Sequence, residues 1–114
     1  MYGIQLNLRD IIKAIVQFPD QPQKMRPALI ISNNFVNQNS NRVIILPITS
    51  NPSPEPYKIE IQNANIENGF LPVRSFIIFD NIFTISQNSY VKTFGRITED
   101  FFNFIMSELN NKVF

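Results

Sequence analysis

The sequence contains neither cysteine nor histidine, and each absence removes a class of chemistry. Without cysteine the chain can form no disulfide framework and no thiolate metal site, which is typical of a protein in a reducing cytoplasm. Without histidine it lacks the usual general base near neutral pH and the commonest metal ligand. Any catalysis must therefore use carboxylates, arginine, lysine, hydroxyl groups or the backbone.

The chain also has little net charge and no long apolar run. A formal charge of +1 does not by itself indicate nucleic-acid binding. No apolar run approaches the ~18–20 residues of a membrane span, and the first residues lack the basic and apolar segments of a signal peptide. With 114 residues, 44 % hydrophobic and 17 % charged, the sequence predicts one globular domain over residues 1–114 that needs no cross-links.

Short β-branched runs separated by proline-rich and asparagine-rich loops predict a mainly β fold. The first strand is expected from Asp10 to Phe18, followed by a loop over residues 19–24. The stretch Arg26-Pro27-Ala28-Leu29-Ile30-Ile31-Ser32-Asn33 predicts a second strand, antiparallel to the first, with a cation at its mouth. Further strands are expected at residues 42–49, 57–61, 71–79, 82–85 and 90–97, a helical turn within 33–41, and a turn-rich connection over 63–69.

The last segment predicts the one long helix. Thr98 is a favourable N-cap, and the acidic pair Glu99-Asp100 suits the positive end of the helix dipole. Apolar residues then recur at helical spacing, which predicts a face that packs on the sheet. Many short strands with one terminal helix indicate a small, curved antiparallel barrel.

Three segments together resemble one protein family. They are the stretch that begins at Arg26-Pro27, the stretch Leu46-Pro47-Ile48-Thr49-Ser50-Asn51, and the stretch Asp80-Asn81-Ile82-Phe83-Thr84-Ile85. Their order and spacing, followed by Phe94-Gly95-Arg96-Ile97-Thr98 and a helix, closely resemble the PemK/MazF toxins of bacterial type II toxin–antitoxin systems. The resemblance runs from about Asp10 to the C-terminus.

This resemblance implies a small SH3-like, CcdB/PemK-type antiparallel β-barrel that forms a homodimer in the cytoplasm. It also implies sequence-selective cleavage of single-stranded RNA with no metal and no cofactor. The 2′-hydroxyl of the substrate attacks the adjacent phosphate and leaves a 2′,3′-cyclic phosphate. A cognate antitoxin would block the same groove.

The same resemblance implies roles for individual residues. Arg26 would stabilise the phosphorane, because a planar guanidinium binds two phosphate oxygens at once. Thr49 would orient the scissile phosphate, and Asp80 matches an acidic position beside the active centre of some members. Lys24, Ser50, Asn51 and Asn81 are the expected substrate-binding residues.

Two other functions remain open at this stage. A CcdB-like toxin on the same barrel would bind a protein target such as gyrase, since fold does not determine function. A catalytically degenerate module would keep only dimerisation and binding of the antitoxin or RNA. Two features motivate it: Ile78 stands where many family members carry an arginine, and the chain has no histidine.

Overall fold

An antiparallel sheet of eight strands and two helices account for most of the chain. The computed structural model describes residues 5–17 and 20–114. The strands are β1 (Asp10–Val16), β2 (Lys24–Ile30), β3 (Arg42–Thr49), β4 (Lys58–Ile61), β5 (Ile66–Gly69), β6 (Ser75–Ile78), β7 (Phe83–Ser86) and β8 (Tyr90–Ile97), and the helices are α1 (Asn34–Asn39) and α2 (Glu99–Lys112).

The sheet follows the order β4-β6-β3-β2-β1-β8-β5, with β7 paired to the first half of β3. It curls into a half-barrel, and β4 and β5 are the two ends of this strand order within the described residues. The predicted β1–β2 hairpin is confirmed, since Ile11 lies opposite Leu29 and the pairing continues to Val16 and Lys24. The mainly β architecture with a C-terminal helix is therefore confirmed.

Pro47 lies where β3 changes partners. Ile45 pairs with Phe83 of β7, whereas Ile48 pairs with Ile77 of β6, and Pro47 falls between them. A proline has no N–H to donate, so an interior strand position normally requires such an interruption.

The two faces of the sheet carry two separate cores. The helix face is covered by α2 and contains Ile11, Leu29, Leu46, Ile48 and Ile77 together with Phe101, Ile105 and Leu109. The opposite face contains Leu6, Ile12, Ala14, Val16, Ala28, Ile30, Val43 and Ile45. Burial of each large side chain contributes roughly 1.5–3 kcal/mol, so both clusters stabilise the sheet.

Helix α2 begins and packs as its sequence predicts. The Thr98 hydroxyl accepts a hydrogen bond from the backbone N–H of Phe101 at 3.2 Å. Phe101, Ile105 and Leu109 are buried against the helix face. No helix in the described residues is both long and apolar enough to cross a membrane.

Two expectations about the strands were wrong. Residues 63–69 form a 3₁₀ turn and then β5, which pairs with β8 through two glycines, Gly69 and Gly95. A Cβ on Gly95 would lie 1.8 Å from the Asn68 carbonyl oxygen, so the strands approach too closely for the usual β-branched pattern. The strand expected at 71–79 is only Ser75–Ile78, because pairing with β3 and β4 covers those residues alone.

The first predicted strand ends at Val16, and its expected continuation to Phe18 and Pro19 lies outside the described residues. A helical turn expected within residues 33–41 is confirmed as α1. Its N-cap is Asn33, whose side chain accepts from the N–H of Val36 at 3.1 Å.

Candidate functional site

Pro27 ends the hydrogen bonding between β2 and β3. Just after β2, the N–H of Ile31 donates to the carbonyl of Ile44. Backbone polar groups alternate in direction along a strand, so Leu29 and Pro27 also direct theirs toward β3. Pro27 belongs to this series and has no N–H. The paired positions accordingly stop at Ala28 and Pro47, and the two strands continue beyond this point without pairing to each other.

Arg26 and Thr49 lie just beyond that last pair. Because side chains alternate along a strand, Arg26 shares a face with Ala28, and Thr49 shares it with Pro47. Both are half-buried, and both project from the face opposite α2. The structure thus brings together the two residues expected at the reacting phosphate, at a point where the strands are no longer hydrogen-bonded.

The Thr49 hydroxyl is held in a defined orientation. Its Oγ1 accepts a hydrogen bond from the backbone N–H of Asn51 at 3.1 Å, which leaves the hydroxyl proton available for donation. The Asn51 side chain in turn accepts from the N–H of Ser53 at 3.0 Å. Lys58 Nζ donates to the carbonyls of Asn51 and Ser53 at 3.0 and 3.1 Å. The loop that carries Ser50 and Asn51 is therefore tied to β4.

The Arg26 guanidinium lies among other polar groups at the start of β2. Its Nη2 donates to Gln21 Oε1 at 2.9 Å. Lys24 is exposed two residues earlier and projects from the same face. This end of the face is therefore basic.

A row of facing side chains extends the site across the sheet. Thr49 lies opposite Phe76 of β6, and Phe76 lies opposite Glu60 of β4. The Glu60 carboxylate accepts from Arg74 Nε at 2.6 Å and from Nη2 at 3.0 Å. These hydrogen bonds with Arg74 lower the pKa of Glu60.

The sequence alone does not indicate Glu60, Arg74 or Phe76 as site residues. Phe76 lies in the apolar run of the strand predicted at residues 71–79, and the two charged residues lie outside the family-like segments. The sequence does show an alternating pattern, which places these side chains on one face of a strand. Lys58 and Glu60 alternate with isoleucines, and Arg74 and Phe76 are separated by Ser75. That this face also carries Thr49 is visible only from the register of β3, β6 and β4.

Asp80 and Asn81 lie away from Arg26 and Thr49. Both are exposed and follow β6, four residues and more beyond Phe76, the partner of Thr49. Strand β6 ends at Ile78, so Asp80 lies in the turn that follows it. Asp80 instead neighbours Tyr57, whose pKa is raised by burial and by the charges of Glu55 and Asp80. Within the described residues, no strand pairing places Asp80 opposite Arg26 or Thr49.

Two further observations concern base stacking and metal binding. Phe79 is 1 % exposed, so its ring belongs to the core and offers no surface to a base. In the described ranges 5–17 and 20–114, no three potential metal-ligating side chains lie together.

The sequence and the fold together show which protein family this chain belongs to. The sequence profile of the PemK-like, MazF-like toxins of type II toxin–antitoxin systems matches residues 9–113. This chain belongs to that family, as the resemblance of its motifs predicted. No curated protein matches the chain significantly.

Several solved structures share the fold. An endoribonuclease in complex with its cognate antitoxin, from a mycobacterial species, has 18 % identity and a TM-score of 0.76 over 95 % of this chain and 94 % of its own. MazF from Deinococcus radiodurans has 15 % identity and a TM-score of 0.78 over 97 % and 98 %. Toxin MazF-mt6 from Mycobacterium tuberculosis has 21 % identity and a TM-score of 0.67 over 88 % and 93 %.

Proposed function

We propose that this chain is the toxin of a type II toxin–antitoxin system and acts as a metal-independent, sequence-specific endoribonuclease on single-stranded RNA. One observation carries the proposal. Arg26 and Thr49 share a face of the sheet just past Pro27, where β2 and β3 are no longer hydrogen-bonded. A guanidinium and a hydroxyl donor are the groups that bind the oxygens of a phosphodiester.

In the proposed reaction the 2′-oxygen of the RNA forms a bond to the adjacent phosphorus while the bond from phosphorus to the 5′-oxygen breaks. The products are a 2′,3′-cyclic phosphate and a 5′-hydroxyl, and the proton lost by the 2′-oxygen balances the one gained by the 5′-oxygen. Arg26 neutralises charge on the non-bridging oxygens in the phosphorane. Arginine stays protonated in proteins, so Arg26 supplies charge and not a proton.

Thr49 donates its hydroxyl proton to a phosphate oxygen, since its oxygen already accepts from Asn51. Lys24, Ser50 and Asn51 contact the RNA strand on either side. Asp80 and Asn81 contact nucleotides farther from the scissile phosphate, because they follow the end of β6 and not the part of that strand that faces Thr49.

The proposal extends to fold details, assembly and location. We propose that the half-barrel is of the SH3-like, CcdB/PemK type, that two chains form a homodimer in the cytoplasm, and that a cognate antitoxin occupies the RNA-binding groove. Support comes from the family and from the mycobacterial endoribonuclease whose structure contains its antitoxin. Light scattering on the purified chain, alone and with its antitoxin, measures both assemblies.

The test is RNA cleavage by purified protein in EDTA with analysis of the product ends. Arg26→Ala should lower the rate by about 10²–10³, as the loss of an oxyanion donor does. Thr49→Ala should also lower it. The matched controls are Arg42→Ala and Thr84→Ala, because both side chains are exposed and Arg42 lies at the other end of β3.

Products without a cyclic phosphate, or full activity in Arg26→Ala, would refute the mechanism. Growth arrest with intact RNA and broken DNA would instead indicate a protein target.

A further inference from the structure

We propose that Arg74 is a stacking platform for the nucleobase next to the scissile phosphate. This inference rests on the proposed function, because the nucleotide is defined by the phosphate at Arg26 and Thr49. It assigns a substrate-binding role to a residue outside the segments that carry the family resemblance.

The first support is preorganisation. Two donors of the Arg74 guanidinium, Nε and Nη2, bind the two Glu60 oxygens, and its Cζ lies 5.1 Å from the centroid of the Phe76 ring. The carboxylate fixes the edge of the guanidinium and the ring supports it from below. An arginine held in this way loses little conformational freedom on binding.

The second support is exposure. The Arg74 side chain is 65 % exposed, whereas Phe76 is only 8 % exposed. The guanidinium lies over the ring together with Lys58 Nζ, which is 6.0 Å from the ring centroid, and presents its own surface to solvent. Single-stranded RNA is commonly bound by stacking of its bases on arginine planes or aromatic rings.

The third support is position. Phe76 lies directly opposite Thr49 on the neighbouring strand, and facing residues have Cβ atoms about 5 Å apart. Arg74 lies over the Phe76 ring, so the platform is adjacent to the hydroxyl that orients the phosphate. This placement fits a nucleotide next to the reacting one.

The ion pair with Glu60 favours stacking over phosphate binding at Arg74. The fork that would grip a phosphate is already occupied by Glu60, which also neutralises the arginine. The nearby Lys58 does not supply the missing contact, since its ammonium donates to Asn51 O, Ser53 O and Ser53 Oγ. The Arg74–Glu60 pair itself thus offers a flat surface with little net charge.

The experiment measures binding of a short fluorescent 2′-O-methyl RNA of mixed sequence, which cannot be cleaved because its 2′-oxygen is blocked. Affinity is measured over a range of salt concentrations for the wild type, Arg74→Ala and Arg74→Lys. Arg42→Ala is the control for loss of an exposed arginine. Since removal of Arg74 uncovers a ring that can itself stack, the double variant Arg74→Ala/Phe76→Leu is included.

The double variant should bind roughly tenfold more weakly because one base–platform contact is lost, and each single variant should bind more weakly than the wild type. The slope of log affinity against log salt should stay that of the wild type. By contrast Lys24→Ala should reduce this slope by about 0.7, as the loss of one phosphate contact on a single strand does.

Three results would overturn the inference. Full binding by Arg74→Lys, with a reduced salt slope in Arg74→Ala, would show a phosphate contact. Unchanged binding by the double variant would show no contact at all, while cleavage by the wild type would keep the proposed function intact. Failure of the wild type to bind any RNA would refute both proposals.

Discussion

Arg9 adopts a backbone conformation that favours glycine. Its φ is 78°, in the left-handed region, where a residue with a Cβ loses about 1–2 kcal/mol. The position is fixed on both sides, since the Arg9 N–H donates to the Ile30 carbonyl and its own carbonyl accepts from Ile97. The side chain compensates: Nη1 donates to Glu67 at 2.7 Å and to the carbonyl of Ile97 at 2.9 Å.

Two substitutions separate the backbone cost from the side-chain contacts. Arg9→Ala removes an exposed ion pair and one charged hydrogen bond, which together contribute about 1–3 kcal/mol, and keeps the strained backbone. Arg9→Gly removes the same contacts but releases the strain. We therefore expect Arg9→Gly to be more stable than Arg9→Ala by about 1 kcal/mol, or roughly 4 °C in Tm.

The sign of this difference is diagnostic, because glycine elsewhere is less stable than alanine by about 0.5–1 kcal/mol. Urea unfolding of the two variants gives the two free energies directly. The same pair of substitutions at Arg42, an exposed residue of β3, is the control and should show the ordinary order. An Arg9→Gly variant no more stable than Arg9→Ala would refute the strain argument.

Four other perturbations test the structure in different places. Pro27→Ala supplies the N–H that lets the β2–β3 ladder continue, so we expect protection of that amide in hydrogen exchange together with slower RNA cleavage. Ser32→Ala removes a buried hydroxyl that accepts a backbone N–H, and should cost about 1–3 kcal/mol in denaturant unfolding. Because burial and then two neighbouring carboxylates, one of them Asp80, raise the pKa of Tyr57, ultraviolet titration should show a phenol that ionises above its usual range. The neutral phenol is favoured in the folded state, so the free energy of unfolding should fall as pH rises through this raised pKa. Asp80→Asn removes one of the two charges and should lower the pKa of Tyr57. Leu109→Ala should cost about 2–5 kcal/mol in calorimetric or denaturant unfolding, since this side chain is fully buried under the sheet.

The sequence predicted the elements whose signals are local. The cap at Thr98 and the helical repeat from Phe101 to Leu109 use contacts within one helix, and β3 and β8 occupy the residues expected for them. Strand β5 was missed because its pairing depends on two facing glycines, which carry no strand propensity.

The residues of the candidate site likewise fall into two groups, those with a local sequence signal and those without one. The family-like segments contain Arg26 and Thr49, so both could be chosen from the sequence alone. Arg74, Glu60 and Phe76 come from β4 and the region of β6, and they meet Thr49 only through the register of three strands. Register depends on which residues face the two cores, and that is a property of the folded sheet.

Pro27 connects these observations. As part of the Arg26-Pro27 pair it sets the extended backbone that carries the arginine, and it also removes the N–H with which β2 would bind Ile48 of β3. A continuous ladder at this point would fill the space between Arg26 and Thr49 with backbone hydrogen bonds. One residue therefore determines where the sheet stops pairing and where Arg26 and Thr49, the two side chains proposed to bind the phosphate, share a face, and the adjoining row runs from Thr49 through Phe76 to Arg74.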